Sequence, residues 1–353
     1  MSLENPGEGG ITLRDIQAAH KEGTLQRTLI DTISQTNDVM EDVRFFPASN
    51  GDRDEADYVT SLPKAHFTML GEGRVPSGFS TQKKSVDSAR AYVMMRILRD
   101  RYNELKKRGK HEQYLNDNVK MQLGSLGTLL VTAYMYGDRR DDPKGLNGAA
   151  KVYSKIGSVS GSDLDPFTRT LDGSLAGNSD KTNLRSIFML NFSQTGVKPF
   201  YPDYASDCGL DFGDKMDEVH EKDTVNGGDV CYLQREFTWT NGIHFVDYRK
   251  AGRLANIPFN KILEPGTDYA KALLEKLIWL SDTVRTDSGE TSSWYMDPKL
   301  WTCVKTLLAR LTWQNAYEEK AVDATRKERV LFGHKVRVND CQAFAEVEVP
   351  AAN

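Results

Sequence analysis

Apolar residues recur at helical spacing most clearly between Glu112 and Tyr136, where Leu115, Val119, Leu123, Leu126, Leu130, Ala133 and Tyr134 follow one another at threes and fours. This pattern predicts one long helix over 112–136, roughly 37 Å long at 1.5 Å per residue. Gly124 and Gly127 interrupt it mildly, and Gly137 stops it. Nearer the start, Leu13 to Lys21 is a short helical candidate. Leu25, Leu29 and Ile33 then fall on one helical face that Thr36 and Met40 continue. No strong element neighbours this second stretch in sequence, so it reads as an arm lying on something outside its own core.

Alternation takes over after the arm. The extended runs Val43 to Phe46 and Tyr58 to Phe67 flank the polar segment Ser49 to Glu55. They predict a long hairpin with Asp52, Arg53, Asp54 and Glu55 at its tip, and Pro63 confines its strand to an edge or a bulge. Glycines in Gly71 to Gly78 make a joint. A strand-like segment runs to Leu98, and a charged helix follows from about Asp100 to Lys107. A second long hairpin is predicted from Cys231 to Lys250, because Asn241-Gly242 between two alternating runs is a strong turn signal. Ser186 to Phe192 reads as a buried strand. Thr267 caps a helix over 269–282. Trp294 to Met296 is a short strand, Asp297-Pro298 opens a helix to about Leu311, and strands are predicted near 335–338 and 343–349.

Composition narrows the class. The chain has 353 residues, 39% hydrophobic and 27% charged, with net charge −4, which does not suit a protein that coats nucleic acid through a basic surface. The one basic cluster, Lys106, Lys107 and Arg108 with Lys110, reads as a solvated helix end. The four cysteines have no C-x-x-C spacing, which gives neither a zinc motif nor a redox motif. The N-terminus lacks a signal-peptide pattern. The most apolar stretch, Leu126 to Tyr136, is shorter than the about 20 residues that span a bilayer, so no membrane partner is expected.

The search for chemistry assigns no catalytic, cofactor-binding or metal residue, and the chain is not expected to be an enzyme. There is no phosphate-binding loop, dinucleotide fingerprint or nucleophile elbow. The six histidines are dispersed, and His220 falls in a segment that reads as a polar loop. Asp163 and Asp165 lack the closing glutamate of a calcium loop. The sequon Asn191-Phe192-Ser193 lies in a predicted buried strand. The charged run Asp138 to Asp142 reads as a solvated loop making ion pairs. What remains is architecture: projecting hairpins and an arm that bury little in their own subunit, as expected where neighbouring copies supply the other side.

The order of motifs resembles the major capsid proteins of tailed double-stranded-DNA bacteriophages, in a podophage-like branch. Gln35-Thr36-Asn37 followed by Glu41-Asp42 is similar to that branch's arm signature, and Ser61-Leu62-Pro63 followed by Leu70 to Gly73 to its hairpin end. Tyr136-Gly137-Asp138 with Asp142-Pro143 and Gly145-Leu146 is similar to the close of its long helix. Phe237 to Trp239, Asp247 to Arg249 and Arg253 to Ile257 resemble a further fingerprint, although Tyr248 stands where Trp is usual. Trp294 to Met296 resembles a strand that precedes a helix.

The resemblance implies an α+β chain with the HK-97-type (Johnson) capsid fold. Its parts would be an N-terminal arm (1–42), an extended hairpin loop (43–79), a peripheral domain with the long spine helix (80–139), axial segments (140–225 and 258–334), a long β-hairpin at 226–257 and C-terminal strands (335–353). It further implies self-assembly into hexamers and pentamers of an icosahedral head, put together in the host bacterial cytoplasm, with double-stranded DNA held inside without sequence specificity. A portal protein, a scaffolding protein and a decoration or cement protein are the partners implied. Inter-subunit contacts are expected from Asp52, Arg53, Asp54 and Glu55, from Leu25, Leu29, Ile33 and Met40 of the arm, and from Arg249 and Arg253. An encapsulin-like cellular compartment with the same fold is the alternative.

Overall fold

Strand 184–190 shows how the chain is organised. All seven of its residues are buried, and its two faces serve two different cores. Phe188 and Leu190 point into one cluster and Ile187 and Met189 into the other, so Ile187 to Leu190 is a continuous apolar run rather than an alternating one. The computed structural model describes residues 10–19, 38–61, 63–70, 72–74, 76–78, 80–157, 165–174, 183–213, 216–222, 227–259, 267–310, 316–321, 327–342 and 345–352.

Strand 184–190 belongs to a sheet whose order is 317–321, 327–331, 334–338, 293–296, 184–190, 251–258, 170–172. The pairings of 293–296 with 334–338 and of 251–258 with 170–172 are parallel, and the others antiparallel. Helices Thr267–Thr283 and Pro298–Arg310 cover one face. Leu273, Leu277, Leu280, Leu300, Val304 and Leu308 pack there against Ile187, Met189, Trp294 and Met296. The second of these helices starts as the sequence predicts. Pro298 takes the first helical position, and the Asp297 carboxylate accepts from the Leu300 N–H at 3.3 Å while holding the Arg185 guanidinium at 2.8 Å.

The opposite face meets the first core. There the helix His111–Tyr136 buries Val119, Leu123, Leu126, Leu130, Val131, Tyr134 and Met135. It packs over a second sheet, ordered 11–12, 44–47, 197–201, 229–245, 217–222, with 89–98 and 210–211 also paired to 229–245. The helix stops at Gly137 for a steric reason. The Gly137 φ of −54° is an ordinary one. A Cβ there, however, would lie 2.4 Å from the Leu146 carbonyl oxygen, because the returning chain presses on the helix end and Gly148 N–H donates to Gly137 O at 2.8 Å.

Three sequence expectations are corrected. First, Asn241-Gly242 is not a turn. One strand, Asp229–Phe245, runs straight through it, pairing with Ala89–Leu98 up to Asn241 and with Val197–Phe200 from Gly242 on. The glycine serves a close approach: a Cβ on Gly242 would meet the Phe200 ring at 2.2 Å. The described residues of the segment 226–257 are therefore two strands in two different sheets, joined by a 3-10 turn at Tyr248–Lys250 that Asp247 caps. Second, the long hairpin pairs Arg53–Ser61 with Ser80–Asp87, so residues 52–55 stand at its base and the described residues between 63 and 78 at its far end. Third, residues 345–349 form no strand; the isolated bridge of Leu184 with Glu346 ties that segment to the sheet.

Candidate assembly surface and its anchor

The strand Ser80–Asp87 is exposed over its first six residues, as expected of a ribbon leaving the body. Beyond it, Phe67, Met69 and Leu70 have relative exposures of 108%, 78% and 109%. Three large apolar side chains, close in sequence and largely in water, are not accounted for by the chain's own packing.

The base of the same hairpin is the reverse. Asp54, on the first strand, is only 1% exposed. One of its oxygens accepts from Lys198 Nζ at 2.6 Å, and the other faces His244 Nδ1 at 2.8 Å. A carboxylate only accepts, so Nδ1 carries the proton. The Tyr58 hydroxyl donates to the Phe245 carbonyl and lies 3.0 Å from His244 Nε2. Tyr58 also stacks on Tyr248 at 5.3 Å, and Lys84 of the second strand donates to the Tyr248 hydroxyl at 3.0 Å. Burial pushes the Asp54 carboxyl up, but the hydrogen bonds from His244 and Lys198 outweigh it and hold the group below its ordinary value. Burial, then the neighbouring Tyr248, pushes the Tyr58 phenol up, so it stays a neutral donor. The network fastens both strands of the hairpin to the ends of strands 197–201 and 229–245.

The expected contact residues take up defined places. Arg53 pairs with Asp87 at 2.7 Å across the hairpin, and Asp87 also receives Arg139 at 3.4 Å. Glu55 pairs with Lys83, and Asp52 accepts from the Tyr204 hydroxyl. All four charges at 52–55 thus have partners inside the chain, since the hairpin base adjoins the body. Met40 is fully buried in the first core together with Ile11, Leu13, Ile16 and Val39, so both described parts of the arm pack on their own subunit. Leu25, Leu29 and Ile33 lie outside the described residues. Arg249 clasps Asp247 at 2.8 Å. Arg253 is buried and donates to Glu346 at 2.7 Å, Ser186 at 3.0 Å and the carbonyls of Ala150 and Tyr153, because its strand, 251–258, lies between strands 184–190 and 170–172. The loop 138–142 makes ion pairs as expected, Asp138 with Lys151 and Arg139 with Asp87.

Other polar anchors left no local trace in the sequence. Lys250 is buried against Asp287 and Glu290, the latter at 2.7 Å. Burial pushes the Glu290 carboxyl up, but bonds from Lys250 and Asn191 bring it down to about 2. Arg337 grips Asp42 and Glu41, linking the arm to strand 334–338. Each joins residues far apart in the chain, and only the fold brings them together.

Comparison with known proteins gives two findings. A family model described as Major capsid protein GP7 matches residues 20–350. Among solved structures, a chain in the structure of bacteriophage Epsilon15 is similar at 17% identity and TM-score 0.58, covering 88% of each chain. A chain of the bacteriophage JBD30 capsid aligns at 10% identity and TM-score 0.42, over 82% of this chain and 88% of that one. No curated protein matches the sequence.

Proposed function

The chain belongs to the major capsid protein GP7 family, and from that premise we propose how its parts serve a shell built from many copies of itself. It is a capsid protein with the HK-97-type fold, and its place is the virion capsid. Family membership favours a phage head over the encapsulin-like compartment. The subunits assemble as hexamers and pentamers in the host cytoplasm and enclose double-stranded DNA without reading its sequence, with portal, scaffolding and decoration proteins as partners. The first core, under helix 111–136, corresponds to the peripheral domain, and the core of helices 267–283 and 298–310 to the axial domain. The protein's role is association rather than turnover.

The observation that supports this arrangement best is the exposed trio Phe67, Met69 and Leu70 at the end of an anchored ribbon. Covering each by a neighbouring copy contributes roughly 1.5–3 kcal/mol, a gain repeated at every equivalent contact of a closed shell. The contact role first expected of Asp52 to Glu55 passes to this far end. Arg249 and the arm face of Leu25, Leu29 and Ile33 remain proposed contacts. Electron microscopy of the purified chain tests the reading: shells tens of nanometres across are expected, and Phe67→Ser with Leu70→Ser should leave folded, unassembled subunits. Normal shells from that double variant would refute the hairpin contact.

A further inference from the structure

The edge ribbon formed by Asp217–Lys222 and Asp229–Gln234 carries side chains that the shell reading leaves unused. His220 stands directly opposite Cys231 in the antiparallel register. Glu218, two residues before His220, lies on the same face. Ligand atoms of Glu218, His220 and Cys231 all lie within 4.8 Å of one another, and this is the one such group of three among the described residues. Glu218 and His220 are exposed and Cys231 is half-buried, so the group is open to solvent.

The donor types point to a particular ion. A thiolate with an imidazole suits a borderline-soft divalent metal, whereas magnesium and calcium take oxygen donors almost alone. Zinc binds all three donor types with bonds of about 2.0–2.3 Å in tetrahedral geometry. Such bonds hold ligand atoms roughly 3.3–3.8 Å apart, so side-chain rotation of about an ångström closes the set. A positive group already sits among these donors: Arg99 Nη1 is 3.3 Å from Glu218 Oε2 and 4.0 Å from Cys231 Sγ. The Arg99 side chain is half-exposed and has room to swing into water as a metal takes its place.

We propose that Glu218, His220 and Cys231 form a three-ligand site for Zn²⁺, with a fourth position open to water or to a donor from another copy. Binding would fix the ribbon in one register. The chain's lack of C-x-x-C spacing hid this site, because two antiparallel strands, and not one short motif, bring the ligands together.

The test uses the full, reduced, metal-free chain titrated with Co²⁺. A near-ultraviolet thiolate-to-cobalt charge-transfer band saturating at a single equivalent is expected, and Zn²⁺ should abolish it by displacement. Cys231→Ser should remove the band, and His220→Ala should weaken binding by more than about tenfold. Cys341→Ser should leave both unchanged. Far-ultraviolet circular dichroism establishes that each variant is folded, which an exposed edge ribbon favours. Absence of the band in the intact chain, its persistence in Cys231→Ser, or unchanged affinity in His220→Ala would overturn the proposal.

Discussion

At the base of the long hairpin, a carboxylate removed from water has a partner for each oxygen: Lys198 for one, His244 for the other. At its far end, Phe67 and Leu70 lie entirely in water. One ribbon thus holds two kinds of surface. The base belongs to the subunit's own stability, and its charges, expected from sequence to face a neighbour, are already used. The end leaves its apolar side chains in water, and the proposed function assigns them to association. A capsid subunit needs both, since a projecting element contributes to a lattice only if it leaves the body in a defined direction.

Substitutions sharpen this contrast by where their cost appears. The largest expected effect is at the base. Asp54→Ala leaves Lys198 buried without its counter-charge, which should cost about 3–5 kcal/mol in urea denaturation of unassembled subunits. Gly242→Ala drives a methyl group into the buried Phe200 ring and should cost about 1–3 kcal/mol by the same measurement. Acid comes next. Asp54 and Glu290 are both held below their ordinary values. Their contribution is complete above the unfolded-state value and is lost as pH falls through the folded one. For Glu290 that window runs from 4.5 down to about 2. A loss on the order of 2 kcal/mol across it, after allowing for partial solvent exposure, should be absent in Glu290→Gln. The smallest effect on the isolated subunit is at the hairpin end, where Leu70→Ser should change stability by less than about 0.5 kcal/mol yet lower the yield of shells. A large stability loss there would mean that the end packs on its own subunit.

Much of this was legible in the sequence where the signal is local and long. The helix predicted over 112–136 is found at 111–136, because several turns of apolar spacing outweigh two interior glycines. Asp297-Pro298 marked a helix start that sterics and capping both require. Short signals without tertiary context misled. Asn241-Gly242 has the composition of a turn, but backbone pairing on both sides keeps the strand continuous, and the glycine is there to admit Phe200. The hairpin was placed too early because its second strand, Ser80–Asp87, is polar on both faces and shows no alternation. The anchoring residues were invisible for a different reason: Asp54 and His244 are 190 positions apart, and no spacing rule joins them. The proposed assembly surface was partly legible, since the sequence predicts projecting hairpins, but Phe67, Met69 and Leu70 lie in a stretch without periodicity and give no local signal that they face water.

The central claim is that the apolar end of the hairpin is covered by another copy of the chain. Met69 offers a direct probe, since its thioether is exposed in the single subunit and methionine oxidises according to its accessibility. Dissociated subunits and intact shells are treated with dilute peroxide and the extent of Met69 sulfoxide is read by mass spectrometry. Rapid oxidation in the subunits and protection in the shells is the expected result. Equal oxidation of Met69 in both would contradict the claim.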